Sequence, residues 1–318
     1  MLQQTQVKTV ISYFREWMEV FPDVQTLAKA DLETVLKVWE GLGYYSRCRN
    51  LYKSAKWVVE KNQGVIPDTF EALRSLPGIG DYTARAILSI GYGKPEPVID
   101  GNIKRVSARY LGIKRLTDRN YNRIQNFLKN SIPKEDPGAF NQALMDLGRE
   151  VCVSKKPDCR CCPLAAGCKA VQSSTPELYP ISVKRPVAPR REMVAILIQY
   201  KDTFLVTRRP ENGLLGGLWG IPCLPRNGRM GDHTVIQSWV NNDIGDLRPC
   251  RYLGAVTHTY SHFKSVANLY HWKINRPKRI STSQTRRWIT LPEREKLPFS
   301  KLDHKLFSLF LKHRIANV

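Results

Sequence analysis

The period of the apolar residues changes once along this chain of 318 residues, and that change restricts the available folds more than any other feature. Through residue 150 apolar side chains recur every three to four positions. Val7, Val10, Ile11, Phe14 and Met18 form one stripe; Leu32, Val35, Leu36 and Trp39 form another, which starts after Asp31 as an N-cap and stops at Gly41. Leu51, Ala55, Val58 and Val59 continue the pattern, then Ala84, Ile87 and Leu88, then Ile103, Val106 and Tyr110. Tyr121, Ile124 and Leu128, and finally Phe140, Ala143, Leu144 and Leu147, complete it. These stripes predict the core of an all-helical domain. Past residue 190 the pattern shortens to MVAILIQY, TFLVTRR, CRYLGAV and SVANLYHWKI, separated by turn residues such as Glu211-Asn212-Gly213. With a closing helical stretch from Lys301 to His313, this half reads as an α+β domain. The intervening segment, rich in Pro, Ser and basic residues, reads as a linker. The expected organisation is therefore a helical domain over 1–170, a linker over 171–190 and an α+β domain over 191–318. At 42% apolar content the chain can supply a core to each domain.

Charge narrows the function. Fifty Lys and Arg against 28 Asp and Glu give a net +22, which points to a polyanionic partner. The excess is spread over both halves, which suits a protein that wraps a duplex better than one with a basic tail. No apolar run approaches the ~18 residues of a membrane span. The opening MLQQTQVKTV lacks the basic flank and apolar stretch of a secretory signal. The expectation is a cytosolic protein with no membrane partner, acting as a monomer on duplex nucleic acid.

Three local motifs carry chemistry. Cys152, Cys159, Cys161, Cys162 and Cys168 crowd together, and without an export signal such crowding means metal before disulfides. The spacing Cys152-x6-Cys159-x2-Cys162-x5-Cys168 contains one Cys-x2-Cys pair where zinc usually takes two. It therefore favours a [4Fe–4S] cluster over zinc and leaves Cys161 spare. LPGIG, ending at Gly80, lies between two helical patterns. Pro77 stops the first, and Gly78 and Gly80 permit positive φ and a bare backbone that can approach phosphate, although from these five residues alone a plain interhelical turn is the stronger reading. Asp100 opens a helix bearing Lys104, Arg105 and Arg109. Taken alone it is an N-cap; functionally, a carboxylate beside cations can stabilise a cationic sugar while lying close to phosphate.

LPGIGDYTA, VIDGNIKRV and the cysteine array occur together and in this order. With them the chain resembles the helix-hairpin-helix DNA glycosylases that carry an iron–sulfur cluster. MLQQTQV, WEGLGYYSR and FNQALMDLG narrow the resemblance to the adenine DNA glycosylases of the MutY family, whose members remove adenine mispaired with 8-oxoguanine. The resemblance covers nearly the whole chain. It implies a multidomain protein, an all-α glycosylase domain with an iron–sulfur loop followed by a Nudix-like α+β domain, acting on double-stranded DNA with A:8-oxoguanine or A:G mispairs. It further implies that Asp100 stabilises the oxocarbenium ion and that Asn102 orients the site. Tyr82 stands where the sister enzymes with strand-nicking lyase activity carry a nucleophilic lysine. A phenol forms no Schiff base, so the expected enzyme is monofunctional; Lys104 is then a phosphate contact. Gln142 matches the position that reads the flipped adenine. Gln4 and Tyr44 match residues that fill or wedge the stack around the lesion pair. Tyr260, Ser261 and His262 match the loop that reads 8-oxoguanine, with tyrosine where the family has phenylalanine; the aromatic face is kept.

Two departures qualify the expectation. The family's catalytic glutamate stands immediately before MLQQT, and this chain begins at that motif. Glu16 and Glu19 stand ~20–25 Å away along a helix and are no substitute. The chain as it stands is therefore expected to bind lesion DNA and to excise adenine slowly or not at all, the start being read as that of a shortened gene model or fragment. The second departure lies in the Nudix-like half, where pyrophosphate hydrolysis needs a glutamate-rich helix for Mg²⁺. After Gly220 the chain reads IPCLPRNGRMGDHTVIQSWVNNDIGD, without a glutamate. The expectation there is a retained fold without the hydrolase.

Overall fold

The computed structural model describes residues 1–181, 188–226, 231–240, 250–274 and 284–315. Packing divides the chain into two compact units, one formed by Met1–Gly64 with Pro186–Val318 and the other by Val65–Arg185. The sequence reading instead placed its division at 171–190, of which residues 182–187 lie outside the described residues. The first helices of the chain thus share a unit with its C-terminal half.

Those helices are α1 (Val7–Val20), α2 (Val24–Lys29), α3 (Leu32–Val38) and α4 (Tyr45–Lys61). Asp23 and Asp31 cap α2 and α3, accepting from the amides of Thr26 (2.7 Å) and Thr34 (2.9 Å). Trp17, Phe21, Leu27, Val35, Leu36, Trp39 and Cys48 form their core, together with Leu218 from the C-terminal half. The α1 stripe is not core as expected. The helix turns Val10 and Trp17 inward, one heptad apart, and leaves Val7, Ile11, Phe14 and Met18 exposed. Leu51, Tyr121 and Ala143, also expected inside, are exposed as well. Periodicity finds a helical face but does not say which of two adjacent faces meets the core.

The second unit holds α5 (Phe70–Ser75), α6 (Asp81–Ala86), which runs into a π-helical turn at Ile87–Gly91, α7 (Gly101–Tyr110), α8 (Asp118–Ser131), α9 (Pro137–Glu150) and the short α10 (Lys169–Gln172). Val98, Ile103, Ala108, Ile113, Ile124 and Leu128 form its core. Two glycines bring α9 close to its neighbours. A Cβ on Gly148 would stand 2.6 Å from Asn102 Cβ, and one on Gly138 would stand 3.1 Å from the carbonyl oxygen of Ser89.

The C-terminal half builds a sheet from β1 (Arg190–Tyr200), β2 (Thr203–Arg208), β3 (Trp219–Gly220), β4 (Cys223–Pro225), β5 (Arg251–Thr259), β6 (Lys264–Lys273) and β7 (Arg286–Ile289), with α11 (Asp232–Val240), α12 (Leu291–Arg294) and α13 (Lys301–Ile315). The strand order is β3-β2-β1-β6-β5, with β4 pairing β1 and β7 pairing β2. β1 and β6 run parallel, while β5 and β6 form an antiparallel hairpin. Both faces of β1 are covered, which is why it reads as a continuous apolar run. Ala195 and Leu197 join Phe204, Phe307 and Phe310 on one side, and Val194, Ile196 and Ile198 join Ile236 and Trp272 on the other.

Candidate active site and nucleic-acid interface

In the second unit, Asp100 caps α7. It is half-buried, and its Oδ1 accepts from the Ile103 amide at 2.6 Å. The segment leading to it is pinned by Asn141 of α9, which is 1% exposed. The Asn141 amide oxygen accepts from the Val98 N–H (3.0 Å), and its nitrogen donates to the Glu96 carbonyl (3.0 Å). Tyr82 on α6 lies within electrostatic reach of Asp100: burial first, and then the Asp100 charge, push its phenol above the ordinary value. Next to Asn141, Gln142 is exposed, and its Nε2 donates to the Gly138 carbonyl at 3.3 Å.

Of the cations on α7, Arg105 lies within electrostatic reach of Asp100. Asn102, Arg105 and Arg109 share one stripe that faces α9 and the cysteine loop. Arg105 donates to the Asn102 side chain (2.9 Å), the Gly148 carbonyl (2.5 Å) and the Cys152 carbonyl (2.8 Å). Arg109 is 3% exposed. The sequence reading set three cations beside Asp100; two of them, half-buried Arg105 and buried Arg109, are engaged with backbone carbonyls. The third, Lys104, lies 5.1 Å from the centre of the Tyr121 ring.

The hairpin before α6 is closed by Arg74, which donates to the Ile79 carbonyl (3.0 Å) and pairs with Asp81 (2.7 Å). Gly78 has φ +78°, as expected. Gly80 does not need that freedom: it is the extended N-cap of α6, at φ −89° and ψ 175°. A Cβ there would meet nothing within 4 Å, so the space beside it is open.

Arg109 also shapes the cysteine loop. Its guanidinium donates to the carbonyls of Cys152 (3.1 Å), Val153 (2.7 Å), Ser154 (3.1 Å), Pro176 (2.9 Å) and Tyr179 (3.0 Å), and to the Cys152 sulfur at 3.2 Å. Burial raises the Cys159 thiol, and Cys152, Cys168 and Cys162 raise it further. Burial likewise raises Cys162, with Cys152 and Cys168 adding to it. The four sulfurs therefore sense one another, while exposed Cys161 hydrogen-bonds Asp158 instead. Burial and mutual repulsion favour the neutral thiols, so an anionic thiolate set here would need a bound cation in addition to the Arg109 guanidinium beside Cys152. Among the described residues no group of His, Cys, Asp or Glu is placed to hold a metal ion.

In the first unit, the turn before α4 has Gly41 at φ +91° and Gly43 at +78°, followed by Tyr44 at φ +48°. The Tyr44 hydroxyl lies 2.7 Å from Ser261 Oγ, across a long stretch of sequence. Ser261 sits in the turn of the β5–β6 hairpin, which the Tyr260 amide closes by donating to the Phe263 carbonyl (2.8 Å). Tyr260 stacks on Phe263 at 4.7 Å between centroids, and His258 meets Tyr260 edge-on at 4.6 Å. These side chains, with Leu42, Leu215, His262 and Lys301, line a cavity of about 420 Å³. Burial, then the Asp303 charge, push the Tyr260 phenol up to about 12, so it stays a neutral aromatic surface. Gln4 is exposed in the turn before α1, also with positive φ (+59°).

Residues 1–134 match the HhH-GPD superfamily of base excision DNA repair proteins, and residues 193–309 match the NUDIX domain. The chain is 35% identical over 298 residues to the adenine DNA glycosylase of Buchnera aphidicola subsp. Baizongia pistaciae, spanning 92% of this chain and 82% of that one. It is 33% identical over 365 residues to the adenine DNA glycosylase of Mus musculus, spanning 99% of this chain and 70% of that one. The chain belongs to the adenine DNA glycosylase family. Among solved structures, a thermostable thymine-DNA glycosylase shares the fold at a TM-score of 0.50 and 24% identity, over 54% of this chain and 80% of that one.

As an adenine DNA glycosylase family member, the chain is a hydrolase of N-glycosyl bonds in DNA with a helix-hairpin-helix region and a Nudix-like region. No helix of the described residues is long and apolar enough to cross a membrane. In the Nudix-like region, residues 227–230 and 241–246 of the glutamate-free segment lie outside the described residues. Within the described part, the Asp232 carboxylate accepts from Asn268 (2.8 Å) and Tyr270 (3.0 Å) and pairs with Arg226 (3.2 Å), so it is engaged inside the fold. Sequence reasoning missed Asn141, although it falls in line with Leu144 and Gly148 on the buried stripe of α9, where a polar residue is itself a signal.

Proposed function

We propose that this family member hydrolyses the N-glycosidic bond of adenine mispaired with 8-oxoguanine or guanine in duplex DNA, acting in the cytosol as a monofunctional, monomeric glycosylase. Asp100 carries the reading. Its cap fixes Oδ1 on the Ile103 amide, and Asn141 holds the preceding segment, so the carboxylate is anchored before substrate arrives. We assign it to the positive charge that develops on the deoxyribose as the bond to the base breaks; fixed charge of this kind needs no reorganisation at the moment of reaction. Water then adds at the anomeric carbon. Tyr82 offers no amine for a covalent sugar intermediate, which supports base release without strand nicking. Gln142 is exposed and is the reader of the flipped adenine, while Asn102 orients the start of α7 through Arg105. The Gly78–Gly80 hairpin and Lys104 contact phosphate.

The first unit is the proposed lesion reader. Gln4 and Tyr44 enter the base stack, and Tyr260, Ser261 and His262 meet 8-oxoguanine, Ser261 through a hydroxyl that both donates and accepts. Cys152, Cys159, Cys162 and Cys168 would hold a [4Fe–4S] cluster, with Arg109 offsetting the thiolate charge beside Cys152. When bound, that group cross-links the loop at four points.

The test is Asp100→Asn. Asparagine caps a helix as well as aspartate, so the variant removes charge and keeps the fold. The residual single-turnover release of adenine from A:8-oxoguanine duplexes should fall by about 10²–10³-fold, with duplex affinity nearly unchanged. Full activity in the variant would remove Asp100 from the reaction.

A further inference from the structure

Arg47, in the first turn of α4, has contacts that neither the fold nor the assigned site accounts for. Its guanidinium donates to the backbone carbonyls of Met1 (2.9 Å) and Gln3 and to the Thr5 hydroxyl (2.9 Å). Its flat face lies 5.1 Å from the centre of the Tyr44 ring and 5.5 Å from that of Trp39. The carbonyl of Gln3 and the hydroxyl of Thr5 flank Gln4 on either side in sequence. Gln4 and Tyr44 both hold positive φ, at +59° and +48°, a conformation that side-chain-bearing residues keep only where their surroundings impose it. Glycine would relieve that strain, yet both positions carry a long and exposed side chain. One half-buried guanidinium touches both turns.

We propose that Arg47 is a positioning residue that ties the Gln4 turn to the Tyr44 turn, so that the two side chains enter the base stack as one preset pair. The inference rests on the reading that Gln4 and Tyr44 intercalate at the lesion. The chemistry asks for arginine: its planar fork reaches several oxygens at once while its face covers an aromatic ring. A lysine ammonium supplies the charge without the fork. Arg47 contacts no reacting atom in this scheme. Its work is to prepay the ordering of two exposed side chains that would otherwise be frozen during binding.

The experiment uses the full chain and an 8-oxoguanine duplex whose opposing adenosine carries a 2′-fluoro group to block base release, with 2-aminopurine beside the lesion. Affinity is compared with that for the undamaged duplex by fluorescence anisotropy, and unstacking is read from 2-aminopurine brightening at saturating protein. Arg47→Met should lower the ratio of lesion to undamaged affinity roughly tenfold, the scale of losing charge-assisted hydrogen bonds, and should remove most of the brightening. Arg47→Lys should fall between Arg47→Met and wild type in both readouts. A folded Arg47→Met with wild-type ratio and brightening, beside a defective Tyr44→Ala, overturns the inference and spares the intercalation reading. Tyr44→Ala without effect overturns that reading and this inference with it. Should Arg47→Met fail to fold, Arg47→Lys decides: wild-type behaviour in both readouts overturns the proposal, and partial loss of both supports it.

Discussion

Asn141 shows how a residue remote from the chemistry can govern it. Its side chain completes hydrogen bonds for the Val98 amide and the Glu96 carbonyl on the segment that delivers Asp100. Asn141→Ala strips both partners inside a packed region, and a buried polar group left unpaired costs about 1–3 kcal/mol. Urea denaturation should show a loss of that size. Adenine release should slow as well, because the carboxylate loses its anchor, while binding to undamaged duplex stays near wild type. An Asn141→Ala protein with unaltered release and reduced stability would confine the residue to a structural role. The two carboxamides of this stretch also differ in legibility. Gln142 was found through family resemblance, whereas Asn141 could have been found from physics, as a polar residue on the inner stripe of a helix. The fates of Arg105 and Arg109 were harder to read. Spacing puts them on one face, but only packing shows that the face meets carbonyls of α9 and the cysteine loop.

At the scale of elements, Glu33 and Lys37 on α3 and Glu40 just beyond its end form a charged stripe at i, i+4 and i+7. In the structure this stripe is an interface. Trp219 donates to Glu33 (2.5 Å), Lys37 donates to the Leu297 carbonyl (3.2 Å), and Glu40 accepts from the Phe299 amide (2.8 Å) and meets His304 (2.7 Å). Burial would raise the Glu40 carboxyl, but hydrogen bonds from His304, Lys37 and Phe299 outweigh it and hold the group below its ordinary 4.5. A depressed folded value means that the stabilisation is present above about pH 4.5 and is lost as pH falls through the folded value. The melting difference between wild type and Glu40→Gln should therefore be largest near neutrality and shrink in acid. A difference independent of pH would show that ionised Glu40 contributes nothing. Helix contacts in the second unit make a second case. Gly148→Ala places a methyl 2.6 Å from Asn102 Cβ, and overpacking of this kind costs about 1–3 kcal/mol. Because the displaced helix starts at Asp100, adenine release should suffer along with the urea midpoint; unchanged release would uncouple α9 from the site.

For the molecule as a whole, the first unit is assembled from both ends of the chain. Composition shifts at 171–190, and so does the apolar period, so a reading in sequence order draws its boundary there. Spatial association of residues 1–64 with the C-terminal half leaves no compositional trace, because the contacts that make it are dispersed. Leu218 is fully buried in the core cluster of the N-terminal helices. Arg49, itself 8% exposed, donates to the Gly216 carbonyl at 2.7 Å. Gly217, at φ +81°, lies so close to α3 that a Cβ there would stand 2.9 Å from Leu36 Cδ1. A fragment of residues 186–318 should consequently expose Leu218 and lose the contacts that order the 211–218 loop. Burying one leucine contributes about 1.5–3 kcal/mol, and the loop contacts add to it. The fragment should be cleaved in that loop by a protease at concentrations that spare the full chain. Supplying residues 1–64 as a second polypeptide should restore resistance and co-purify with the fragment. A C-terminal fragment that resists cleavage alone and ignores the added peptide would show that the Nudix-like fold stands without the helices, and that the association reflects proximity and not shared stability.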